Sequence, residues 1–189
     1  MEINPVKIKT LAKEKEDENW EFRIFLKQIN KSSEEVDAVV HRIYPEIASK
    51  IDCKTCANCC KELLPLVDEE DIEQMSQPLG YSIDHFKEQY IVEDEEEGGY
   101  TFNKRPCPFL EDICVCGDFR PKECKSFPHL HKEGVVFRLI SVVQNCSVCP
   151  IVFHTYERLK SELWHPFDSY FDDSYLDDSD VYMEYEEGG

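Results

Sequence analysis

Apolar and polar positions alternate along this chain in a way that predicts helices at both ends and short elements between them. Trp20, Phe22, Phe25, Leu26 and Ile29 form a helical stripe that Asn30-Lys31 breaks. Val36, Val39, Val40, Ile43, Tyr44 and Ile47 then recur at three- and four-residue intervals. Ser32 and Glu35 have capping-box spacing in front of that second stripe. Pro45 lies inside it and is expected to kink the helix or end its first part. The two segments predict a helical hairpin packed over the middle of the chain. Residues 1–17 are polar and are predicted to be loosely ordered.

The middle of the chain reads as shorter pieces. Leu63 to Val67 is an apolar run that Pro65 restricts to an edge strand or an extended loop. Asp68 can cap a helix through about Gln77, with Pro78 and Gly80 behind it, and Ser82 another through about Tyr90. Glu93 to Glu97 is an unbroken acidic run before Gly98-Gly99, which predicts a solvated hairpin tip with Tyr100–Phe102 returning as a strand. Lys132 to Gly134 reads as a turn and Val135 to Val143 as a strand. Pro150 suits a first helical position, and Val152, Tyr156, Leu159 and Leu163 share a face of that helix up to about Trp164.

The fold class that follows is α+β. Residues 18–165 form a small irregular domain, with helices from both ends packed around loops and short strands. Residues 166–189 form a tail, in which nine acids and no Lys or Arg are interleaved with Tyr170, Phe171, Tyr175, Leu176, Tyr182 and Tyr185. A basic protein partner is expected for that tail.

Length and charge narrow the picture. A chain of 189 residues suits one domain, and 41% hydrophobic content is globular rather than disordered. A formal charge of -19 argues against a nucleic-acid backbone or an anionic membrane surface as partner. No run of 18 apolar residues predicts a membrane span, and no apolar leader marks the first residues. A cytoplasmic location is therefore expected, and stable disulfides are not.

The ten cysteines then carry the candidate chemistry. Cys53-x-x-Cys56-x-x-Cys59-Cys60 places four thiols within eight residues. Two Cys separated by two residues can turn both sulfurs toward one ion. Such a loop cannot easily close its own unstrained disulfides. Cys146-x-x-Cys149 repeats the chelating spacing.

At Cys53 to Cys60 the sequence resembles the CxxCxxCC cysteine-cluster family (YkgJ-like), described as a zinc- or iron-chelating domain. The second half of that family's signature is present as Cys107-Pro108-Phe109-Leu110, Cys114, Arg120-Pro121, Cys124 and Phe127-Pro128. The likeness covers roughly residues 50–130. The chain departs from the family's pattern at Gly117, where an aromatic is usual, at Lys125, where Arg is usual, and at the extra thiol Cys116. The resemblance implies metal chelation by Cys53, Cys56, Cys59, Cys60, Cys107, Cys114 and Cys124. Cys146 and Cys149 are candidates for the distal contribution.

Two forms of metal centre remain open. Seven signature cysteines and one of the late pair make eight, enough for two four-cysteine zinc sites. Alternatively, Cys53-x-x-Cys56-x-x-Cys59 with a remote Cys107-Pro108 matches the ligand pattern of an iron–sulfur cluster. Adjacent side chains diverge, so Cys59 and Cys60 are expected to serve different sites or different irons, or one of them is unliganded. Residues 103–132 hold six bases (Lys104, Arg105, Arg120, Lys122, Lys125, Lys132) against four acids. Arg120 is the candidate for donating to ligand sulfur from outside the coordination shell. His129 and His131 follow Cys124 closely enough to replace a sulfur. No P-loop or dinucleotide fingerprint is present. Three function classes compete: a metal-binding module, an iron–sulfur redox or transferase enzyme, and an interaction protein with a structural zinc core.

Overall fold

The computed structural model describes residues 1–95 and 98–164. Ten helices and three short strands are described. The helices are α1 (Pro5–Glu14), α2 (Glu16–Gln28), α3 (Ser33–Ala48), α4 (Cys53–Cys56) and α5 (Asn58–Glu62). They continue as α6 (Glu69–Ser76), α7 (Ile83–Tyr90), α8 (Lys122–Ser126), α9 (Leu139–Asn145) and α10 (Pro150–Leu163). β1 (Leu66–Val67), β2 (Ile91–Glu93) and β3 (Tyr100–Phe102) form an antiparallel sheet in the order β1-β3-β2. Among the described residues, no helix is long and apolar enough to cross a membrane. Glu96 and Glu97 of the acidic run, and the acidic aromatic segment 166–189 with its expected basic partner, lie outside the described residues.

Local signals place most of these elements. The Ser32/Glu35 capping box is formed at the start of α3, and Asp68 with Asp71 makes a second one at α6. Ser32 Oγ accepts from Glu35 N at 3.3 Å and Asp68 Oδ1 from Asp71 N at 2.8 Å. Pro150 occupies the start of α10. β1 is an edge strand as Pro65 requires, and Thr101 of β3 ties that edge by donating from Oγ1 to Pro65 O at 2.9 Å. α3 continues through Pro45 to Ala48 rather than ending at it.

Two apolar cores result. The larger draws on both chain ends, with Phe22, Val36, Val40, Ile43, Leu139, Tyr156 and Leu159 buried together. Phe22 packs edge-on to Tyr156 at 5.2 Å and stacks on Trp164 at 5.3 Å between ring centroids. The smaller core lies under the sheet and contains Val67, Ile72, Met75, Phe86, Phe102, Phe109 and Cys116. Phe86 and Phe109 stack there at 5.6 Å.

Three expectations are corrected. Residues 1–17 are not a loosely ordered segment, because Asn4 caps α1, Ile8 and Ala12, one turn apart, are buried against α10, and α2 already begins at Glu16. α2 and α3 are not each other's main partners, since α3 packs chiefly on α10 and α2 on α9. Val135–Val143 is not a strand but a 3-10 turn (Val135–Arg138) leading into α9. Val135, Leu139, Val142 and Val143 are the buried positions, and their spacing is helical although three of them are β-branched valines. The buried Asp37 carboxylate starts that segment by accepting from Gly134 N at 2.6 Å and Val135 N at 2.9 Å.

Candidate metal centre

The thiol-rich loop is built from two one-turn helices. Asp52 begins α4 by accepting from Lys54 N at 3.0 Å and Thr55 Oγ1 at 2.6 Å. Ala57 then adopts a left-handed φ of 45°, uncommon for a residue with a Cβ, and breaks α4 from α5. Cys53 and Cys56 therefore leave one helical turn, and Cys59 and Cys60 another.

Hydrogen bonds gather the other cysteines onto this loop. Cys107 N donates to Cys60 O at 2.8 Å. The buried Asn58 donates from Nδ2 to Val148 O at 2.7 Å, which brings the segment ending in Cys149 over α5. Lys122 fixes α8, and with it Cys124, against α6. Its backbone N donates to Asp71 Oδ1 at 3.0 Å, and its ammonium meets Asp68 at 2.8 Å and Glu70 at 2.6 Å.

The result is a cavity of about 470 Å³ between the two cores. Nine thiols line it: Cys53, Cys56, Cys59, Cys60, Cys107, Cys114, Cys116, Cys124 and Cys149. Eight of the nine cysteines named from sequence are therefore brought together. The exception is Cys146, which is buried in the larger core and donates from Sγ to Val142 O at 3.4 Å. It extends the buried Val142–Val143 face of α9, whereas Cys149 stands at the N-cap of α10 and faces the cavity. Cys116 was not among the expected ligands. Its signal in the sequence was only its nearness to Cys114.

Electrostatic neighbours divide the thiols into two sets. Cys149 feels Cys53 and Cys56, and Cys59 feels Cys149. On the other side Cys60, Cys107, Cys114 and Cys124 act on one another, and Cys116 feels Cys114, Cys107 and Cys124. Cys59 also feels Cys60 and Cys124, so it stands where the two sets meet. Cys59 and Cys60 both line the cavity.

Burial and neighbouring thiols set the acidities. Burial pushes Cys107 up to about 11, and Cys124 and Cys149 up to about 12. Within two pairs of neighbours, one partner's thiol stabilises the other's thiolate. Cys60 is lowered to about 7 by its neighbour Cys59, and Cys114 to about 6 by its neighbour Cys116. Cys59 and Cys116 are raised in return.

Arg120 and Lys54 are cations that line this cavity. For Arg120 the contacts are specific. Its Nε donates to Gly117 O at 2.9 Å, and its charge favours the thiolates of Cys53, Cys60, Cys114 and Cys124. His129 also lines the cavity, but both its ring nitrogens are engaged. Nε2 meets Glu123 at 3.0 Å and Nδ1 meets Ser126 Oγ at 3.0 Å. His131 is exposed and contacts Ser126 Oγ at 3.4 Å.

Among the described residues, no three His, Cys, Asp or Glu side chains stand together as a preformed metal shell. The thiols ring the cavity wall instead. As a donor set the nine sulfurs fit a thiophilic ion such as zinc or iron, whereas calcium or magnesium would need oxygen ligands. A bound cation would offset the mutual repulsion of the thiolates.

A model of the family CxxCxxCC, described as "Putative zinc- or iron-chelating domain", matches residues 52–150. That match takes in every cysteine of the cavity and Arg120. No curated protein and no solved structure matches the chain.

Proposed function

The chain belongs to the CxxCxxCC family of zinc- or iron-chelating domains, and we propose on that basis that the thiol cavity holds metal at two centres. Cys53, Cys56, Cys59 and Cys149 form the first. Cys60, Cys107, Cys114 and Cys124 form the second. The observation that carries this reading is the convergence of nine thiols, from four separate stretches of chain, on one cavity. By electrostatic neighbourhood Cys53, Cys56 and Cys149 fall together, as do Cys60, Cys107, Cys114 and Cys124, and Cys59, which borders both, would complete the first as a set of four, the number a structural zinc ion takes. Such ligation suits a reducing compartment such as the cytoplasm.

The bound metal would act first as structure. The cavity walls come from loops and short helices drawn from four stretches of chain, so thiolate–metal bonds would join stretches far apart in sequence. The protein's own residues supply the charge balance. Four thiolates and one divalent ion leave -4 + 2 = -2 at each centre, and Arg120 lies within electrostatic range of both sets. Replacing Arg120 with Gln is expected to weaken metal binding by about 10- to 100-fold, with Lys restoring part of it.

A second reading, an iron–sulfur cluster, is favoured by the continuity of the cavity. About 470 Å³ in one space is more than two bare ions need. Purification without oxygen, elemental analysis and a visible spectrum distinguish the two. Colourless protein with two zinc ions supports the zinc centres. Brown protein with iron and acid-labile sulfide supports the cluster. Protein that carries neither metal and takes up neither on titration refutes both.

A further inference from the structure

One stretch of this acidic chain carries no acid. Between Glu133 and Glu157 there is no Asp or Glu, although the chain has 40 of them in 189 residues. Within that stretch the 3-10 turn and α9 leave Phe137 and Ile140 exposed, at 78% and 50%. α9 packs on α2, where Ile24 is 51% exposed. Lys27, one turn beyond Ile24, joins the two elements, because its Nζ lies over the Phe137 ring at 5.7 Å from the centroid. The acids of α2, Glu16, Asp17, Glu18 and Glu21, all precede Arg23, so the end of the helix beside Phe137 is basic. Among the described residues neither Lys27 nor Arg23 has a carboxylate partner, and the Arg23 guanidinium lies over Trp20 at 5.6 Å. Ile24, Phe137 and Ile140 thus form an exposed apolar patch with cations at its edge.

We propose that this patch is the docking site of the chain's own acidic C-terminal segment, residues 166–189. The docking needs no bound metal. The segment carries nine acids and no Lys or Arg, interleaved with Tyr170, Phe171, Tyr175, Leu176, Tyr182 and Tyr185. Its rings and Leu176 cover Ile24, Phe137 and Ile140 and so remove apolar surface from water. Its carboxylates meet the ammonium of Lys27 and the guanidinium of Arg23. The apolar and the charged halves of the patch are therefore both matched by one stretch of sequence.

The course of the chain brings the segment to this place. Trp164, the last described residue, stacks on Phe22 and Phe25 of α2 at 5.3 and 6.4 Å between ring centroids. The segment therefore starts beside the helix that carries Ile24 and Lys27. The 25 residues after Trp164 span up to about 80 Å when extended, against about 20 Å for the whole of α2. A tether of that kind gives an effective concentration on the order of millimolar, so a weak contact is enough to hold it. A second copy of the chain fits the patch less well, because its Lys27 and Arg23 would oppose their counterparts across a two-fold axis. The exposed face of α9 continues from Ile140 through Ser141 and Gln144, which line the thiol cavity, so the docked segment borders that cavity.

The test is amide hydrogen exchange of the full-length protein as purified, read by mass spectrometry, with a synthetic peptide of residues 166–189 as the free reference. In the wild type the segment is expected to exchange about tenfold more slowly than the reference. Phe137→Ser and Lys27→Glu are each expected to lose most of that protection. Peptides from α3 and α10 should keep their wild-type exchange, which shows that the variants are folded, and Ile140→Ser replaces either variant that disturbs them. Protection should be the same on dilution, because the contact lies within one chain. The proposal is overturned if the wild-type segment exchanges at the reference rate, or if its protection survives both Phe137→Ser and Lys27→Glu. Protection that falls on dilution also overturns it, since the segment would then be docking on another molecule.

Discussion

Asn58 offers the sharpest test of how the candidate centre is held together. Its side chain is 8% exposed and its Nδ2 donates to Val148 O at 2.7 Å, across 90 residues of sequence. That single bond ties the thiol-rich loop to the segment that presents Cys149. Asn58→Ala removes the donor and leaves the Val148 carbonyl without this partner. A net hydrogen bond contributes about 0.5–1.5 kcal/mol, and an unsatisfied buried acceptor costs about 1–3 kcal/mol. Val148 is only half-buried, so water can recover part of the loss and the lower end applies. The expected cost is therefore about 1–2 kcal/mol, which lowers Tm by about 2–8 °C in a chain of this length. Denaturant titration of the metal-free protein measures the first figure, and a thermal scan the second. A competition titration of zinc against a chromophoric chelator should show the first centre weakened about tenfold through loosened placement of Cys149, with the second centre unchanged. Wild-type stability in Asn58→Ala, or equal weakening of both centres, would refute the role given to this contact.

Other outcomes follow from the same geometry. Cys149→Ala should lose one equivalent of bound zinc in elemental analysis. Cys146→Ala should keep both, while denaturant unfolding shows a loss of about 1 kcal/mol for a buried sulfur. Asp37→Ala deprives two backbone N–H groups of a carboxylate at 2.6 and 2.9 Å, and should destabilise the metal-free protein by about 2–3 kcal/mol in the same assay. Glu18 is held below the usual carboxylate range, first by its hydrogen bond from the buried Lys160 ammonium at 2.7 Å. Because its folded value is the lower one, its stabilising effect is present above about pH 4.5 and is lost as pH falls through the folded value. Melting curves across that acid range should converge for the wild type and Glu18→Gln at low pH and separate above it.

What could be read from the sequence alone is what neighbouring residues decide. The Ser32/Glu35 box, the Asp68 cap, Pro150 at the start of α10 and the edge position of β1 are formed by groups a few residues apart, and they stand as the pattern implies. The family signature was equally legible, since spacing alone carries it. Tertiary structure decided matters that depend on distant partners. The segment Val135–Val143 has strand-like composition, but Asp37, nearly one hundred residues earlier, caps it into a helical start, and its buried positions face helices. α1 has few apolar residues, and its order comes from burying Ile8 and Ala12 on α10. The late cysteines share a chelating spacing, yet Cys146 follows the buried face of α9 while Cys149 begins the next helix and reaches the cavity. Spacing says which thiols can approach one ion. Only the packing of two cores around a common space, with its balance of burial against hydrogen bonding, says which of them face it.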